Sequence, residues 1–184
     1  MRKIFLSLTV FLFCCGSLSL FSQEVNYSDP QPWLLGYFKA DDLLQYPHND
    51  WFNTQFDSYK IDDEALIELM TLDIEDVEVV VVLGTWCPDS RREVPRFMKL
   101  SQLIGLEQGK VSFIGTDSYK IAPVEGYDKL HIERVPTFIF YFKKNEIGRI
   151  IEYPETSLEK DMLKILRQRT KGSTFAASKL RRTE

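Results

Sequence analysis

Val77-Glu78-Val79-Val80-Val81-Val82-Leu83-Gly84-Thr85-Trp86-Cys87-Pro88-Asp89-Ser90 is the stretch that decides the fold. Apart from Glu78, the first seven residues are β-branched or aliphatic. Such a run suits a strand covered on both faces, in the middle of a parallel or mixed sheet. Gly84-Thr85 ends it. From Asp89 or Ser90 to about Ile104 the pattern becomes helical, with Val94, Phe97, Met98 and Ile104 as apolar contacts, and Pro95 inside it predicts a kink. Cys87 therefore falls on the loop between a buried strand and the amino end of a helix. The helix dipole favours a thiolate there, and thiolates are the reactive form. Arg91 and Arg92 add positive charge in the first turn and Asp89 opposes it. The alternative is a cysteine acting as a small buried hydrophobe, for which a strand-to-helix loop is a poor location.

Downstream, Val111–Gly115 reads as a strand, 116–134 as irregular or weakly helical, and Thr137–Phe142 as an aromatic and β-branched strand. Lys143-Lys144-Asn145 turns the chain into a paired strand over Glu146–Glu152. Ser157–Gln168 is a helix with Leu158, Met162, Ile165 and Leu166 at helical spacing. The order strand, helix, strand, connection, strand, strand, helix gives a βαβ half followed by a ββα half, a mixed sheet with helices on its faces. Upstream, residues 23–76 read as an extension packed on the domain. They hold prolines 30, 32 and 47, a possible short helix at Asp41–Leu44 and a helix over Asp62–Met70 capped by Asp62 or Asp63. Trp33, Tyr37, Phe38, Trp51, Phe52, Phe56 and Tyr59 are expected to form a satellite core holding this extension.

At the amino end, Arg2-Lys3, an apolar run from Ile4 to Phe13 continuing to Phe21, and a polar switch at Ser22-Gln23 describe a secretory signal over 1–22. The protein is accordingly expected to be exported, periplasmic or extracellular, with no membrane span after cleavage. Cys14 and Cys15 lie inside the signal, and neither follows the small residue a lipid-anchored cysteine needs, so lipoprotein anchoring is not expected. Cleavage leaves Cys87 alone, a thiol that cannot form an internal disulfide. The 27 acidic residues face 23 basic ones, Arg2 and Lys3 among them, a balance that argues against nucleic acid as a partner. The two histidines, His48 and His131, have no cysteine partners at zinc spacing, and no glycine-rich phosphate loop is present, so no metal or cofactor is expected. Residues 77–170 form the domain, and 171–184 a loose basic tail.

The strand, Thr85-Trp86-Cys87-Pro88-Asp89-Ser90, the helix with a proline eight residues after the cysteine, and Arg134-Val135-Pro136-Thr137 before a strand together resemble the thioredoxin superfamily. Lys144-Asn145-Glu146-Ile147-Gly148 is similar to its closing hairpin. The resemblance spans roughly residues 77–169. It implies the thioredoxin fold, a central mixed β-sheet flanked by helices, here with an N-terminal extension. It also implies a cis bond before Pro136, with that proline lying against Cys87. Trp86 and Pro88 would flank the sulfur. The loop carrying Val135 and Pro136 would offer backbone groups to an extended peptide.

Two departures shape the expected chemistry. Ser90 stands where the family carries its second cysteine, and Val81 where many members bury an acid. A mixed disulfide at Cys87 then needs a second thiol from outside. Ser90 either donates a hydrogen bond to the thiolate or is a helix-cap residue. The expected function is a monothiol thiol-disulfide oxidoreductase with Cys87 and Ser90 as its catalytic pair, acting on protein thiols or disulfides with an external thiol reductant. The alternative is a non-catalytic module that holds clients in the Pro136 groove. A glutaredoxin-like cluster site is a third reading, disfavoured by export and by the departure from Cys-Gly-Phe-Ser.

Overall fold

The computed structural model describes residues 33–168; the signal segment with Cys14 and Cys15, and the basic tail, lie outside the described residues. Five strands form one sheet: β1 (Gly36–Phe38), β2 (Val77–Leu83), β3 (Val111–Gly115), β4 (Thr137–Phe142) and β5 (Asn145–Ile151), in the order β1-β3-β2-β4-β5. β2 runs parallel to β3, and the other pairings are antiparallel. Helices α1 (Asn49–Ser58), α2 (Asp63–Met70) and α3 (Pro88–Leu103) precede a fourth, α4, over 158–168. This is a mixed α/β sheet with the thioredoxin arrangement of strands.

β2 is central because its side chains demand it. Val77, Val79, Val81 and Leu83 project into the main core with Phe97 and Leu100 of α3, Phe138 and Phe140 of β4, and Leu158, Met162 and Leu166 of α4. Phe97 packs on Phe138 with ring centroids 4.8 Å apart. The opposite face is covered differently. Val82 and Ile114 are buried there beneath Ala122 and Val124 of the 116–134 connection, while Val80 is half-buried and Glu78 exposed. Coverage on both faces thus holds for the carboxyl-terminal half of β2, and on one face a loop supplies it. That connection contains only a 3-10 turn at Tyr127–Leu130.

The segment read as an extension supplies β1, an edge strand paired with β3. Four of its aromatics, Phe38, Trp51, Phe52 and Phe56, join the main core rather than a separate one. Phe52 is buried, Phe38, Trp51 and Phe56 pack against the same cluster, and Tyr37 is exposed. α2 starts as read, with the Asp62 carboxylate accepting from Ala65 N–H at 3.2 Å. A polar clasp ties these helices down. Tyr59 donates its hydroxyl to buried Glu159 at 2.9 Å, and the Arg96 guanidinium lies over the Tyr59 ring while pairing with buried Glu93. Burial and the Glu159 carboxylate together push the Tyr59 phenol well above its ordinary value. Buried carboxylates are tolerated only with such partners.

Where β1 enters, the chain crosses very close to the end of β3. A Cβ added at Gly115 would stand 2.0 Å from the Leu34 carbonyl oxygen, a backbone atom that cannot swing away. Gly115→Ala is expected to lower stability by about 1–3 kcal/mol through overpacking. Denaturant unfolding checks this; an unchanged midpoint would mean that residues 33–35 do not sit on β3.

Candidate active site

α3 begins earlier than its sequence pattern implied. Pro88 is its first residue, a position that suits proline because the missing N–H has no helical partner there. Cys87 is therefore the N-cap residue, and Ser90 belongs to the first turn rather than serving as the cap. The helix continues through Pro95 to Leu103. Cys87 is unbridged and 7 % exposed. Its thiol donates to the Val135 carbonyl at 3.3 Å, and the Val135–Pro136 bond is cis. β2 and β4 are direct neighbours, with Val82 opposite Thr137, so the residues following β2 and those preceding β4 meet at one end of the sheet. That pairing brings together Cys87 and Val135, 48 positions apart in the chain.

Ser90 is fully buried, and its hydroxyl oxygen accepts from the Gly84 N–H at 3.2 Å. It pins the end of β2 to the first turn of α3. Val81 is completely buried in the main core. Trp86 does not stand open beside the sulfur. Its indole folds back over Gly84, where an added Cβ would be 2.5 Å from the ring, and its Nε1–H donates to the Thr116 carbonyl at 2.9 Å. Trp33 packs on it at 6.1 Å between centroids. Pro88 is exposed and Pro136 buried.

The charges near the motif are directed elsewhere. Arg91 donates through Nε to the Thr85 carbonyl at 2.6 Å. Arg92 pairs with Asp89 at 2.7 Å and with Glu93 at 2.6 Å, which holds its guanidinium charged. The first-turn arginines therefore brace the loop and the helix. The carbonyls at the cis bond are occupied as well: Arg134 accepts from the Thr137 hydroxyl, Val135 from Cys87, and Pro136 from Glu152 N–H.

Sequence reading did not identify the loop that roofs the site. Ala122, Val124, Tyr127, Leu130 and Ile132 belong to or pack against the apolar cluster that contains Cys87, Val135, Val82 and Ile114. Asp117 organises this loop by accepting from Tyr119 and Ile121 N–H, each at 2.9 Å, and Tyr127 donates to the Lys120 carbonyl at 2.9 Å. Its Asp-Ser start and Gly126 were the available signals, and they indicate only a turn. His131 is exposed and His48 is buried against Trp51, so neither lines the site. Among the described residues, no three His, Cys, Asp or Glu side chains converge as a metal site, and no helix is long and apolar enough to cross a membrane.

A family model described as Thioredoxin matches residues 49–166, more than half of the chain. No curated protein matches. Among solved structures, the chain is similar to a protein of unknown function from Pseudomonas aeruginosa at 15% identity and a TM-score of 0.46, covering 66% of this chain and 81% of that one. It is also similar to an HIV epitope scaffold at 17% identity and a TM-score of 0.40, covering 65% and 72% respectively.

Two outcomes follow from this geometry. Gly84→Ala should evict the Trp86 indole, changing near-ultraviolet circular dichroism and the solvent exposure of tryptophan fluorescence; unchanged spectra would contradict the packing. Tyr127 is pushed up to about 12 by burial and by Asp117. Between pH 10 and about 12 the unfolded chain has released this proton and the folded chain keeps it, so stability falls as pH rises through that window. Tyr127→Phe should flatten that part of the stability–pH curve, and an unaltered slope would exclude the roof loop as its source.

Proposed function

The chain belongs to the thioredoxin family, and on that premise we propose that it is an exported thiol-disulfide oxidoreductase of monothiol type, working through a mixed disulfide at Cys87. The observation that carries this reading is the Cys87 thiol at an α-helix N-cap, 3.3 Å from the carbonyl of the cis Val135–Pro136 bond. Export rests on the basic start and apolar run of residues 1–22.

The proposed step begins with Cys87 as thiolate. It attacks one sulfur of a client disulfide, an Sγ–S bond forms as the client S–S bond breaks, and the departing sulfur takes up a proton. A second thiol, from the client or a small external reductant, then attacks the mixed disulfide and releases Cys87. The Val135 contact gives this exchange a structural consequence. The Cys87–Val135 hydrogen bond needs the sulfur's proton. Ionisation of the sulfur, which precedes attack, therefore releases the carbonyl, and it can then accept an N–H from an extended client segment. Binding of the peptide backbone and ionisation of the sulfur would then be coupled through one oxygen atom.

A second reading is a client-holding module without turnover. Ser90, locked by Gly84, and the apolar Val81 favour it, since neither supplies a thiol nor a proton. Thiol trapping distinguishes the two. Wild type is expected to yield covalent adducts, and Cys87→Ala none. In insulin reduction the wild type should be slow, and Ser90→Cys faster by about tenfold or more, because an intramolecular thiol replaces a bimolecular one. Adducts that persist in Cys87→Ala, or their absence from wild type, would remove the oxidoreductase reading and leave the holding module.

A further inference from the structure

α2 buries Ala65 and Leu69 and turns Ile67 and Met70 outward, 65% and 61% exposed. The two are three positions apart and so adjoin on one face of the helix. Exposed Asp63 and Glu64 lie on the same side. From 61 to 90 the chain holds nine acidic residues and no lysine or arginine. An apolar pair is thus set in a strongly acidic surround, on a helix that contributes nothing to the apolar cluster containing Cys87.

The end of α4 lies close to this face. Lys160, near the start of α4, pairs with Asp62 just before α2 at 2.9 Å, and Arg167 in its last turn pairs with Glu68 in the last turn of α2. The two helices therefore run side by side in the same sense, and the chain leaves α4 at Gln168 beside the end of α2. The sequence that follows complements the α2 face. Residues 169–184 carry five basic residues against Glu184 alone, and their large apolar residues are Phe175 and Leu180. Gly172 admits a reversal of the chain. Seven extended residues, from Gln168 to Phe175, span up to about 24 Å. A helix the length of α2 measures about 12 Å, so Phe175 can reach any point along it. We propose that residues 169–184 fold back across α2 of the same molecule, with Phe175 packed on Ile67 and Met70 and with Lys179, Arg181 and Arg182 paired with Asp63 and Glu64. The docking is independent of thiol exchange.

Methionine methyls labelled with ¹³C in the purified protein test this at low ionic strength, where charge pairing is least screened. Met70 reports on the docking face, and Met98 and Met162, both buried, report on folding. A nuclear Overhauser contact is expected between the Met70 methyl and the Phe175 ring. Two variants should shift the Met70 signal and increase its broadening by a soluble nitroxide, leaving Met98 and Met162 in place. One is Phe175→Ala; the other combines Lys179→Glu, Arg181→Glu and Arg182→Glu, and should also lose the Phe175 contact. Labelled Phe175→Ala mixed with unlabelled wild type isolates contacts between molecules, and none is expected. A Met70-to-Phe175 contact in that mixture would assign the face to a second copy and overturn the proposal. It is equally overturned if either variant leaves the Met70 signal at its wild-type position, or if the Met70 methyl is as open to the nitroxide in wild type as in the variants.

Discussion

The backbone of β2 is paired on both sides, with β3 in parallel and β4 in antiparallel register, and the rest of the molecule is arranged around that constraint. A strand held by two neighbours cannot slip without turning its side chains to the wrong face. Val79, Val81 and Leu83 are committed to the helical side, and Val82 to the other. Gly84, Thr85, Trp86 and Cys87 then emerge at one place relative to the start of β4. The Cys87–Val135 contact follows from that pairing.

The end of β2 is crowded, and the crowding explains two glycines. Gly84 lies under the Trp86 ring and Gly115 under the Leu34 carbonyl. Leu34 N–H also reaches the Thr85 hydroxyl at 3.3 Å. The chain before β1, the motif and the end of β3 are thus one packed unit, and Trp86 serves as its filler. On the opposite face the 116–134 connection does the work of a covering helix, using Asp117 and Tyr127 to hold an irregular backbone.

Strong, local signals were legible in the sequence. β2, β3 and β4 fall where their β-branched and aromatic runs place them, and α4 carries Leu158, Met162, Ile165 and Leu166 inward as its spacing implied. β1 was not legible. It has three residues, starts at Gly36 with φ of 74°, and is a strand only because β3 is beside it. α1 was missed because Asn49, Asp50, Asn53, Thr54 and Asp57 are weak helix formers; packing on α3 stabilises it. At the site, Cys87 and the cis proline were visible as motifs. The arginines were not: charge in the first turn is a sequence property, whereas the direction of each guanidinium depends on the Thr85 carbonyl and on Asp89 and Glu93. The roof loop carries no periodicity, so only tertiary contact could reveal it.

Ser90 works as a structural joint between β2 and α3. A thiol there would be a weak acceptor for the Gly84 N–H. The hydroxyl is a good one, and it is fully buried, so the strand-to-helix joint is tied at the position where a second cysteine would perform chemistry. Val81 acts in the same direction, contributing to the core what a buried acid would remove from it. Both substitutions favour rigidity over internal proton and electron transfer. On the proposed reading, the chain supplies an oriented sulfur and a backbone acceptor. The second thiol and the proton must come with the partner, and the rate of release from Cys87 is then set by the partner's chemistry rather than by this fold.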